Sequence, residues 1–195
     1  VQANQALDQY IPTQGNDVAL VRVHCWWPSG DDPMYLANTD QCDFLIENTP
    51  TGADYAPHLW LDNYVDAGST GSGYESFYED QKLVGAPLTV SLEYSASPSE
   101  ATVTIDVLDP MPPGDYALYV AITEDNVEAL GPNGEPIHNQ AFRRLYPDTD
   151  GIPVATALGE RAVSLERVEI AGDDRARIPA AVRRLATGCD VLVVT

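Results

Sequence analysis

Three cysteines, three histidines and thirty carboxylates are the side chains of this 195-residue chain that could do chemistry. Cys25, Cys42 and Cys189 show neither a CxxC pair nor metal-ligand spacing, so no redox motif or zinc knuckle can be built from them. Cys25 closes a strand-like run and Cys42 lies in the helical run that follows, which would let them meet across one packing contact. Two readings stay open for this pair: a disulfide, implying an oxidising compartment, or two buried free thiols. Cys189 reads as an inert strand residue.

His24, His58 and His138 are far apart and share no spacing, so each reads as a structural histidine before it reads as a ligand. The stretch "YPDTDGIP" resembles a calcium loop only superficially. With Gly151 at the sixth position, Tyr146 stands where the first ligand belongs and Ala157 where the bidentate Glu belongs. A looser calcium site among Asp31, Asp32, Asp148 and Asp150 is the one ion reading left; no other cofactor or metal is called for. GxSxG, HExxH, Walker A and GxGxxG patterns do not occur, and carboxylates are too numerous to nominate a general acid and base.

Acidic residues outnumber basic ones 30 to 10, for a formal charge of -20, and Lys82 is the single lysine. Phosphate backbones need clustered cations, so nucleic acid is disfavoured as a partner, and anionic lipid headgroups are repelled by the same field. Such a surface keeps a protein soluble and suits cationic partners, divalent ions or a saline medium. Arg175, Arg177, Arg183 and Arg184 gather in "DDRARIPAAVRRLATG". Asp173 and Asp174 offset part of that charge in what reads as a solvated connection. Trp26, Trp27 and Tyr35 in "HCWWPSGDDPMY" are the better interface candidates, since large aromatic side chains anchor buried contacts. Packing within the chain could use the same rings. No apolar run approaches the roughly 20 residues that cross a bilayer as a helix.

The elements that must position these residues fall into two textures. Val1, Ala3, Ala6, Leu7, Tyr10 and Ile11 recur at helical spacing before Pro12 and Gly15, which predicts a helix over residues 1–11. "DVALVRVHCWW" reads as a buried strand, "YLANTDQCDFLIEN" as a second helix, and His58–Leu61 as a short strand introduced by Pro57. After the Gly/Ser/Tyr stretch "AGSTGSGYESFYEDQK" the period becomes two. "LTVSLEYSAS", "ATVTIDVLD", "DYALYVAITED", "HNQAFRRLYP" and "RAVSLERVEIAG" alternate apolar and polar residues between Pro/Gly/Asn turns, the pattern of a β-sandwich. The expected division is an α/β domain over 1–83 and an all-β domain over 84–195. Val1 in mid-helix and "VLVVT" in mid-strand read as cuts through a longer chain.

The helix "VQANQALDQY", the strand "DVALVRVHCWW", the "DDPMY" loop, "GADYAPHLWLDN" and the run "ALYVAITEDNVEALGPNGEPIHNQAFRRLYPDTDG" together resemble the outer membrane protein 28-related family of bacterial extracytoplasmic proteins. The resemblance implies a thioredoxin-like domain followed by an immunoglobulin-like sandwich, at a periplasmic, outer-membrane-associated or extracellular location. It places His138, Arg143 and Arg144 in the sandwich, where Glu124 or Asp125 could pair with them. It makes Ala56–Pro57 the candidate for the cis-proline that faces the active site of such folds, and puts Val1 just after the position a CxxC would occupy. The function expected is a non-catalytic binding or structural subunit that docks to another envelope protein. The alternatives are a thiol–disulfide oxidoreductase with its CxxC just upstream of Val1, or a calcium-dependent adhesion or carbohydrate-binding module.

Overall fold

The computed structural model describes residues 2–50, 55–96, 99–111, 116–146, 152–153 and 165–169. In chain order the helices are α1 (Gln2–Tyr10), α2 (Pro33–Leu36), α3 (Thr39–Glu47) and α4 (Tyr74–Lys82). The strands are β1 (Leu59–Leu61), β2 (Val65–Gly68), β3 (Leu88–Ala96), β4 (Ser99–Val107), β5 (Ala117–Leu118), β6 (Val120–Glu124), β7 (Val127–Glu128), β8 (Ile137–His138), β9 (Ala141–Tyr146), β10 (Ile152–Pro153) and β11 (Leu165–Glu169). They pair antiparallel as β1 with β2, β6 with β9, β7 with β8 and β5 with β10, while β4 is the centre of a three-stranded sheet between β3 and β11. At the coarse level the fold is mixed, with helices and small antiparallel sheets.

Two compact units divide the chain. One comprises Val1–Gly85 and Tyr119–Gly151, the other Ala86–Leu118 and Ile152–Thr195. The first break falls close to the expected 83/84 boundary. The assignment of everything beyond it to a second domain does not hold, because Tyr119–Gly151 joins the first unit.

The reason lies in β9. Beside its ladder with β6, its backbone is bonded from two other directions within the first unit. Arg22 forms a parallel bridge with Ala141, its N–H donating to Gln140 O at 2.9 Å and its carbonyl accepting from Phe142 N at 2.9 Å. From α3, the buried Gln41 side chain accepts from Leu145 N at 2.8 Å and donates to Leu145 O at 3.3 Å, while Asn38 donates to Arg143 O at 3.1 Å. A buried backbone group left unpaired costs about 1–3 kcal/mol, so these bonds hold β9 where it is. The run "DVALVRVHCWW", expected as a strand, is not one; its backbone pairs with β9 at this isolated bridge.

Two apolar clusters lie in this unit. In one, Ala3 and Leu7, four residues apart and so on one face of α1, pack with Ala67 of β2 and Tyr74 of α4, with Ala6, Ile11, Leu20 and Leu59 around them. The close approach needs Gly71. Its φ is +80°, and a Cβ there would stand 2.9 Å from Ala6 Cβ and 3.3 Å from Ala3 Cα. The other cluster joins Tyr35 of α2, Cys42 of α3, and Phe142 and Leu145 of β9, with Val23, Phe44 and Leu45 against it. The predicted second helix is two, α2 and α3, separated at Ala37–Asn38.

In the second unit, β3 and β4 pair over nine consecutive positions from Leu88↔Val107 to Ala96↔Ser99. Alternation puts Val90, Leu92, Val103 and Ile105 on one face, and the central-strand pair Val103 and Ile105 is buried.

Gly71→Ala combines a left-handed backbone with contact against the α1 backbone, so it is expected to destabilise the protein by about 2–4 kcal/mol. Urea unfolding monitored by circular dichroism measures it; an unchanged midpoint would disprove the close approach.

Candidate functional site

The segment from Cys25 to Asp31 carries two adjacent indoles in a loop, and the residues on either side of it close that loop. His24 Nδ1 donates to Asp32 Oδ2 at 3.0 Å, and both side chains are largely buried. The second carboxylate oxygen of Asp32 accepts from Met34 N at 2.9 Å and Tyr35 N at 3.2 Å. Asp32 is therefore the N-cap of α2, followed by Pro33 at the first helical position, where the missing N–H costs nothing. One buried carboxylate starts a helix and pins the chain at its other approach to the loop. Inside the loop, Cys25 Sγ donates to Trp27 O at 3.4 Å.

His24 is in turn held by its surroundings. Its ring meets His138 edge-on, with centroids 5.0 Å apart and planes at 71°. His138 donates from Nε2 to the carbonyls of Ala129 at 3.0 Å and Glu135 at 3.1 Å, which fixes its tautomer. Gly131 lies against this ring so closely that a Cβ would stand 3.1 Å from Cε1. His138 is thus a structural residue holding the 129–136 loop. Arg143 pairs with Glu124 at 2.7 Å, and Asp125 instead accepts from the N–H and side chain of Gln140.

On this base Trp26 is 50% and Trp27 55% exposed. Tyr35, expected beside them as an interface residue, is 9% exposed and belongs to the core. Its hydroxyl donates to both oxygens of Asp43, and burial together with that carboxylate pushes the phenol pKa up. Asp32 and Pro33 start a helix at that point, which turns Tyr35 inward. Of the three aromatic candidates, Trp26 and Trp27 stay at the surface.

Cys25 and Cys42 are free thiols in the structure, Cys42 buried and Cys25 half-buried. Cys42 is buried at the α3–β9 contact, and burial first, then Asp43, Asp32 and Cys25, pushes its pKa up to about 12. Burial first, with Asp32 and Asp43 adding to it, also raises Cys25 against the opposing effect of a Trp27 backbone hydrogen bond. Nucleophilic thiol chemistry needs the thiolate, and both sites disfavour it.

Ala56–Pro57 is a cis peptide, and so is Trp27–Pro28. Beyond Pro57, His58 donates from Nε2 to Asp66 Oδ1 at 2.9 Å and is stacked on Tyr55 at 4.3 Å and tilted against Trp60 at 4.8 Å. The His58 bond, then that of Gly68 N, holds the Asp66 carboxyl below its usual range. This network ties the start of β1 to β2. Among the described residues no group of three or more His, Cys, Asp or Glu comes together to hold a metal ion. Of the calcium candidates, Asp32 is committed to His24 and the helix start and Asp31 is exposed, while Asp148 and Asp150 lie outside the described residues. Cys189 and the arginines at 175, 177, 183 and 184 lie outside them too. No described helix is long and apolar enough to cross a membrane.

The His24–Asp32 bond had no local signal, because a spacing of eight residues matches no regular element. Asp32–Pro33 did carry one, the helix-start pair.

Two outcomes follow from this geometry. Asp32→Ala removes the cap and leaves a buried His24 donor unpaired, a loss of about 2–4 kcal/mol seen in thermal unfolding, with faster amide exchange at Met34 and Tyr35. Wild-type exchange rates there would contradict the role of Asp32. Burial holds the Cys42 thiol far above the ordinary range, so little of it is thiolate at pH 8. Iodoacetamide should therefore label native Cys42 far more slowly than denatured protein, with mass spectrometry reading the site; equal rates would contradict the raised pKa.

Comparison with known proteins finds no matching family model, no matching curated protein and no matching solved structure.

Proposed function

We propose that this chain is a non-catalytic extracytoplasmic subunit of a bacterial envelope, periplasmic, outer-membrane-associated or cell-surface, that docks another envelope protein through the Cys25–Asp31 loop. The observation that carries this reading is the adjacent pair Trp26 and Trp27, half in water on a loop pinned at its base by His24 and Asp32. Adjacent indoles are costly to leave wet, and a loop already held in place loses little freedom when a partner covers it. The envelope setting, and the finer architecture of a thioredoxin-like layer with an immunoglobulin-like sandwich, come with the family resemblance.

The competing reading is a thiol–disulfide oxidoreductase. Burial raises the pKa of both described thiols and so disfavours the thiolate, and that activity would need a reactive pair other than Cys25 and Cys42. An ion-dependent adhesion or carbohydrate module is the third reading, with Trp26 and Trp27 as its stacking surface.

The test is the double variant Trp26→Ala/Trp27→Ala, expressed in the native host as the full chain. An interface aromatic costs about 2 kcal/mol or more when truncated and such losses are not additive, so association with the envelope partner should weaken at least about 30-fold. Native gels of solubilised envelopes read this, with the melting temperature unchanged. A variant that still co-migrates with the wild-type complex refutes docking at this loop.

A further inference from the structure

We propose that the segment docking on the Cys25–Asp31 loop is a positively charged, arginine-bearing stretch of the partner protein. The inference rests on the docking reading above and adds the chemistry of what docks.

Two observations meet at this loop. The first is charge. The first unit holds four cations among its described residues, and each is engaged within the chain. Arg22 pairs with Asp8 at 2.6 Å, Lys82 with Asp17 at 2.9 Å and Arg143 with Glu124 at 2.7 Å, while the Arg144 guanidinium lies 4.9 Å from the Tyr146 ring centre. Carboxylates are left over. Asp31, in the loop itself, is exposed and joins none of the ion pairs among the described residues. Asp32 and Asp43, near Cys25 at the base of the loop, are both bonded within the chain, which leaves Asp31 as the loop's open carboxylate. An incoming cation therefore finds uncompensated negative charge, and an incoming anion finds repulsion.

The second observation is the surface offered. Trp26 and Trp27 are half exposed, and an indole is the best aromatic partner for a cation. A guanidinium is flat and weakly hydrated, so it stacks on an indole and keeps its N–H groups for carboxylates, which an ammonium does less well. A saccharide would also stack on these rings but would draw nothing from the charge. Nucleic acid and anionic lipid are turned away by the same field that draws in arginine.

The experiment uses the full chain and two matched synthetic peptides of alternating residues, arginine–glycine and lysine–glycine, titrated calorimetrically at physiological and raised salt. The arginine peptide should bind about two- to fivefold more tightly than the lysine peptide. Trp26→Ala/Trp27→Ala should weaken the arginine peptide at least about tenfold and erase the preference between the two. Asp31→Asn should weaken both peptides and flatten the salt dependence while leaving the preference in place. Equal affinity for the two peptides, or full binding by the double tryptophan variant, would show only attraction to the general field and overturn the proposal. So would tryptophan-dependent binding of a neutral oligosaccharide without binding of the arginine peptide. Circular dichroism confirms that each variant is folded. The two readings fail separately. If the envelope complex needs Trp26 and Trp27 but the peptides are not distinguished, the arginine assignment falls and docking stands. If the complex forms without the tryptophans, both fall.

Discussion

The Asp32 carboxylate is the constraint on which the functional part of the structure depends. A buried carboxylate is tolerated only when its oxygens are bonded, and here one oxygen closes the start of α2 while the other holds His24. Both ends of the Cys25–Asp31 loop are thereby tied to one group. The loop itself needs little internal structure to present its tryptophans, because its ends are set by bonds formed outside it. His138 extends the same arrangement to the 129–136 loop, its ring edge-on to His24 and its Nε2 proton committed to two carbonyls.

Energetically the first unit rests on apolar contact, with polar groups deciding where that contact is made. Ala3, Leu7, Ala67 and Tyr74 form one centre and Tyr35, Cys42, Phe142 and Leu145 the other. The ion pairs add little by comparison. Lys82–Asp17 is solvent-exposed on both sides, and such pairs contribute about 0–1 kcal/mol. Most of the negative charge is therefore carried as a field rather than consumed in structure. That division lets the surface be specialised for a partner without altering the core.

Local rules made some of this legible and distant contacts hid the rest. The apolar spacing of Ala3 and Leu7 announced α1, and the alternation in "LTVSLEYSAS" and "ATVTIDVLD" announced β3 and β4, because each depends on periodicity within one element. Tyr35 was misplaced because "DDPMY" reads as a polar loop by composition, although Asp32–Pro33 is itself a helix start. The return of Tyr119–Gly151 to the first unit was not legible. It depends on Gln41 and Asn38 meeting the β9 backbone across separations of 104 and 105 residues, which no window along the chain can contain. The state of Cys25 and Cys42 was undecidable for the same reason, since bonding depends on distance in space and not in sequence. Trp26 and Trp27 were found by residue type alone; their pinned loop was not.

Gln41 has one more implication. Its amide offers Leu145 a donor and an acceptor together, as the main chain of a neighbouring strand would. The sheet margin at Leu145 is thus stoppered by a single side chain, and that stretch of β9 cannot template the addition of a foreign strand. This rim of the sheet is thereby closed by the chain itself.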